Sequence, residues 1–78
     1  MSDGMREYHH VLDGGDKSCG ELIVAIKRTL DGLRGGEVLK LLSRDPGAKA
    51  DLPAFCRMTG HRLVWSDGGT FYIQRREG

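Results

Sequence analysis

The chain reads as an α/β (α+β) two-layer sandwich of order βαβαββ, with two helices packed on one face of a four-stranded mixed sheet. Three observations predict it. Apolar residues recur at helical spacing in two separate segments, four short strand-like runs stand around them, and glycine pairs mark the joins. A fold of two layers is also what a chain of this length can build.

Residues 1–7 are polar and are expected to form a flexible N-terminus, leaving 8–76 as the single domain. Tyr8 to Leu12 is a short strand candidate that ends in the turn-forming Asp13-Gly14-Gly15. A helix follows from Cys19 to Leu33, with Leu22, Ile26, Leu30 and Leu33 on one side and Glu21, Lys27, Arg28 and Asp31 on the other. Ser18 stands at its N-cap with Glu21 three residues on, the spacing of a capping box. Gly35-Gly36 stops it.

Val38 to Ser43 is an apolar run with one lysine, short enough to be a buried strand. Asp45-Pro46 signals a second helix, a capping side chain followed by proline in the first turn. That helix runs to Thr59, with Leu52, Phe55, Cys56 and Thr59 on one face and Gly60 as its stop. Pro53 either kinks it or delays its start to Asp51. His61 to Ser66 and Thr70 to Arg75 are strands joined by Asp67-Gly68-Gly69, a hairpin signal. The first strand, its helix and the next strand form a parallel crossover, which winds right-handedly.

Seventy-eight residues at 38% apolar content hide only about 60% of the surface their unfolded chain exposes, too little for a deep substrate pocket. The net charge is +1, and the basic pair Arg75-Arg76 reads as a solvated tail. Direct nucleic-acid binding would want a basic stripe with interleaved aromatics, so none is expected. No run approaches the ~18 apolar residues of a membrane span, and the first residues lack the apolar centre of a secretory signal. Two cysteines are too few for a disulfide framework. The cytoplasm is the expected compartment, with both thiols reduced.

Cys19 is the residue on which function is expected to turn. A thiol at a helix start meets backbone N–H groups without intrahelical partners and the positive end of the helix dipole, and both favour the nucleophilic thiolate. The effect is modest, roughly 0.3–1 kcal/mol for an exposed charge. Lys17 adds to it, while Asp16 and Glu21 oppose it. Ser18, Gly20 and Glu21 complete the supporting first turn. Cys56 lies on an apolar helix face, where free cysteine behaves as a small hydrophobe. His9, His10 and His61 lack metal-ligand spacing, so no metal is expected. Trp65, Phe71, Tyr72 and Ile73 read as sheet faces, and the face without helices offers a partner-docking surface.

The strand ending Leu12-Asp13, the glycine loop, Cys19 opening a helix, Asp45-Pro46, Asp51-Leu52-Pro53-x-Phe55-Cys56 and Gly60-His61-x-Leu63 together resemble the TusA/SirA-like sulfur carriers over about 8–76. That resemblance implies the βαβαββ sandwich and a role in sulfur relay. Cys19 would accept a sulfane sulfur as a persulfide from a cysteine desulfurase or rhodanese-type donor and pass it to an acceptor protein, as a monomer and without a cofactor. The family's Cys-Pro-x-Pro is here Cys19-Gly20-Glu21-Leu22. Gly20 gives up proline's fixed φ and restores a backbone donor beside the sulfur. Two alternatives stand beside the carrier: a non-catalytic interaction module of the same fold, and a redox switch using Cys19 and Cys56.

Overall fold

Leu22, Ile26 and Leu30 are fully buried, and their spacing turns one face of a helix into a continuous apolar stripe. The computed structural model describes residues 8–15 and 17–77; the flexible segment expected at 1–7 lies outside the described residues, as does Asp16. The order is β1 (His10–Asp13), α1 (Cys19–Asp31), β2 (Val38–Leu42), α2 (Ala48–Thr59), β3 (Arg62–Asp67) and β4 (Thr70–Gln74). The sheet runs β1-β2-β4-β3. β1 pairs parallel with β2 through Leu12 opposite Leu41, and β4 pairs antiparallel with both β2 and β3. The mixed four-stranded sheet and two helices are as the sequence predicts.

Strand alternation sorts the side chains. Leu39 and Leu41 of β2 and Phe71 and Ile73 of β4 join the stripe of α1, and Ala48, Leu52, Phe55 and Cys56 of α2, in one apolar cluster. Leu12 and Leu63 pack against its margin. β2 is therefore buried on alternate residues, with Lys40 turned to the other face. The strands begin or end within two residues of their expected limits.

The start of α2 departs further. Asp45 is a turn residue there: its Oδ1 accepts the Gly47 N–H at 3.1 Å, and its carbonyl accepts the Ala48 N–H at 3.0 Å. The helix begins at Ala48, after Gly47, and not at Pro46 or Asp51. It runs through Pro53 and ends at Gly60, whose φ of +85° is the left-handed C-terminal turn glycine adopts without a steric penalty. α1 ends at Asp31, two residues short of the expected limit, and Leu33 is only partly buried.

Arg75-Arg76 is not a solvated tail. Arg75 Nε donates to the Leu30 carbonyl at 2.7 Å, and an Arg76 guanidinium nitrogen donates to the Thr59 carbonyl at 3.1 Å. Each arginine thus caps the C-terminal turn of one helix, where the carbonyls lack helical partners and the dipole is negative.

Candidate functional site

The loop after β1 is held at both ends. The Gly14 N–H donates to the Leu42 carbonyl at 2.6 Å, extending the parallel pairing one residue beyond the strands. Asp13 Oδ1 accepts the Gly15 N–H at 2.9 Å, and the Lys17 N–H donates back to the Gly14 carbonyl at 3.0 Å. A Cβ on Gly14 would stand 2.6 Å from Leu22 Cδ1 and 2.9 Å from the Leu42 oxygen. Glycine is therefore required where the loop folds against the first turn of α1. This clamp fixes where the helix starts.

α1 starts at Cys19, with Ser18 at the N-cap in an extended conformation (φ −65°, ψ 162°). Ser18 stands at the N-cap as expected, but the capping-box bond from its side chain to the backbone amides of the first turn is not formed. Ser18 Oγ donates instead to Glu21 Oε1 at 3.3 Å. The two side chains hold each other and leave the first-turn amides to other partners. The first intrahelical bond runs from the Leu22 N–H to the Ser18 carbonyl at 2.9 Å. Of Cys19 the backbone is described; the expected presentation of its sulfur lies outside the described atoms. Gly20 is exposed, and a Cβ there would meet nothing within 4 Å. Neither packing nor a positive φ demands a glycine at that position.

Several surface hollows flank this turn. A groove of about 410 Å³ runs between the helices, lined by Gly20, Ile23, Asp51, Ala54, Phe55 and Met58. Met58 is 86% exposed, an uncommon position for so apolar a side chain. On the other side a smaller, polar hollow of about 220 Å³ is lined by Lys17, Ser18, Arg44, Asp45 and Pro46. Residues after β2 reach this place because β1 and β2 are parallel and end on the same edge. The Arg44 N–H donates to the Gly15 carbonyl at 3.2 Å, joining the two loops. Arg44 and Met58 escaped the sequence reading; the parallel pairing is the signal that brings Arg44 in.

Cys56 is 4% exposed within the apolar cluster, and burial pushes its thiol up to about 11. His9 Nδ1 accepts the Val38 N–H at 3.0 Å, and His61 Nδ1 accepts the Arg76 N–H at 3.1 Å. Both imidazoles thus take structural bonds at the sheet edge remote from the start of α1. His61 is lowered by burial first and by the neighbouring Arg76 and Arg75 charges next. Among the described residues no helix is long and apolar enough to cross a membrane.

Comparison with known proteins follows the same outline. The family described as Sulfurtransferase TusA matches residues 10–75. The chain is 34% identical over 71 residues to a protein of Allochromatium vinosum named Sulfur carrier protein TusA, covering 88% of this chain and 93% of that one. It is 35% identical over 63 residues to the protein of the same name from Pseudomonas putida, covering 78% of this chain and 79% of that one. With the strand, glycine loop and cysteine-initiated helix in the matched span, the chain belongs to the TusA sulfurtransferase family.

Proposed function

We propose that this chain is a sulfur carrier in which Cys19 takes a sulfane sulfur from a donor protein and delivers it to an acceptor protein. One observation carries the reading: a chain matching the TusA family over 10–75 has a cysteine as the first residue of α1, immediately beyond the clamped loop. The relatives named as sulfur carriers cover most of the chain and support the same role.

The transfer balances without a cofactor. The Cys19 thiolate attacks the outer sulfur of a donor persulfide, and its electron pair makes the new S–S bond. The donor's S–S bond breaks, and its cysteine leaves as a thiolate with the electrons of that bond. The outer sulfur keeps its oxidation level and its proton, so no oxidant is consumed. A second exchange of the same kind unloads Cys19 onto the acceptor. In this reading the first-turn amides of α1 and its dipole favour the thiolate that attacks and the persulfide anion that follows loss of the proton. The donor enzyme, of cysteine desulfurase or rhodanese type, supplies the remaining activation.

The non-catalytic module has the replaced prolines of Cys19-Gly20-Glu21-Leu22 in its favour. Intact-mass measurement separates the two readings. After incubation with a purified cysteine desulfurase and L-cysteine, the unaltered protein gains the mass of one sulfur atom, reversed by dithiothreitol. Cys19→Ser does not. A protein that stays at its starting mass with both a desulfurase and a rhodanese as donors is the module.

A further inference from the structure

We propose that the sheet face opposite the helices binds an acidic segment of a partner protein, with Lys40 taking its carboxylate. The site is centred on β2 and β4. Lys40 stands opposite Tyr72, and Val11 is paired with Lys40 from β1, so all three share this face. Trp65 pairs with Tyr72 from β3, its ring 5.5 Å away and edge-on. Tyr8 packs edge-on against Tyr72 from outside the strands, at 6.2 Å.

Two polar groups in this patch lack what they need. The Lys40 ammonium lies 5.1 Å from the Tyr8 ring centroid and 5.9 Å from that of Tyr72, and no carboxylate among the described residues pairs with it. The Tyr72 hydroxyl is buried and has no hydrogen-bond partner among the described residues. Buried phenol hydroxyls nearly always find one. A cation near the rings of Tyr8 and Tyr72, and an unpartnered hydroxyl on the second of those rings, together ask for an anionic oxygen.

The surroundings choose among anions. Val11 and Tyr8 are 43% and 45% exposed, so apolar side chains flank Lys40, the central cation among the described residues of this face. A carboxylate flanked by apolar side chains matches that pattern. A nucleic acid or an anionic bilayer would want several cations spread over the face. Arg62, opposite Gln74, adds a second positive charge at one end of the face, while Asp13, opposite Leu42, lies at the other end. This polarity sets the direction in which a segment with two acidic residues would lie. A symmetric contact with a second copy would oppose two Lys40 ammoniums, which disfavours it. The arriving carboxylate meets Lys40 first, and the unpartnered Tyr72 hydroxyl is the second donor it can gain. The site lies across the sheet from the helices and does not depend on sulfur chemistry at Cys19.

Trp65, the chain's single tryptophan, reports on the site directly. The probes are an N-acetylated, C-amidated peptide Leu-Glu-Val-Glu-Leu and its counterpart with glutamine in place of both glutamates. The first produces a saturable change in Trp65 emission. The second binds about tenfold more weakly, as does the first peptide to Lys40→Met protein. Cys19→Ser protein binds the acidic peptide as the unaltered chain does. Equal binding of the two peptides to the unaltered protein overturns the proposal, and this comparison needs no variant to fold. Indifference to Lys40→Met in a folded protein also overturns it. So does a stronger response to phosphatidylglycerol vesicles than to the acidic peptide.

Discussion

Cys56 has its thiol among Leu52, Phe55 and the apolar stripe of α1, and that setting decides its chemistry. Burial opposes the charged form, and with the thiol pushed up to about 11, about one molecule in a thousand carries a Cys56 thiolate near pH 8. Native protein treated with iodoacetamide at that pH therefore leaves Cys56 unlabelled, and labelling appears once urea unfolds the chain. Peptide mapping by mass spectrometry checks this. Rapid labelling of Cys56 in native protein would favour the redox switch, which needs that thiol as a partner. Gly20 is the opposite kind of residue. It costs the helix some stability, and no neighbour or dihedral among the described residues requires it.

Each helix ends on an arginine from the end of the chain, and this is an arrangement of elements rather than of residues. Arg75 is half-buried and closes the last turn of α1, while exposed Arg76 closes that of α2. A charged donor to a partly shielded carbonyl contributes more than the same bond in open solvent. Arg75→Ala is expected to destabilise the fold by about 1–2 kcal/mol and Arg76→Ala by about 0.5 kcal/mol. Urea midpoints for the two variants test the order; equal effects would mean that burial does not set it. The acceptors also explain why this role was illegible in the sequence. Leu30 is 45 residues from Arg75 and Thr59 is 17 from Arg76, so the local pattern shows only two charges near a terminus. Ser18, Glu21 and the start of α1 were legible because a helix start is written within four residues. Asp45 was misassigned because aspartate before proline signals a turn as well as a cap.

Across the whole molecule the parallel pairing of β1 and β2 separates two edges. Their C-terminal ends carry the loop and the start of α1, and the other edge carries the structural histidines and the helix-capping arginines. The division of the sheet into faces was only partly legible: Val38 to Ser43 reads as a buried run, whereas in the fold Leu39 and Leu41 are buried and Lys40 stands on the other face with Tyr72. It was not legible for β3. A regular ladder from Leu63 opposite Ile73 would put Val64 against Tyr72 and turn Trp65 toward the helices. The irregularity between Leu63 and Trp65 reverses this and delivers Trp65 to the aromatic patch. The remote edge is also where acid is expected to act. His61 joins α2 and the C-terminal segment, stacking on Phe55 and accepting the Arg76 N–H, and both contacts suit the neutral imidazole. Its affinity for protons is lowered in the fold, so below the usual histidine value of about 6.5 the unfolded chain binds the proton that the folded chain refuses. The stabilisation from His61 is complete above that value and is lost as pH falls from there through the lower folded-state value. Denaturant unfolding of the unaltered protein should weaken with acidification across that window, and His61→Gln, which cannot titrate, should show a shallower slope. An identical slope in the variant would assign the acid sensitivity to other groups.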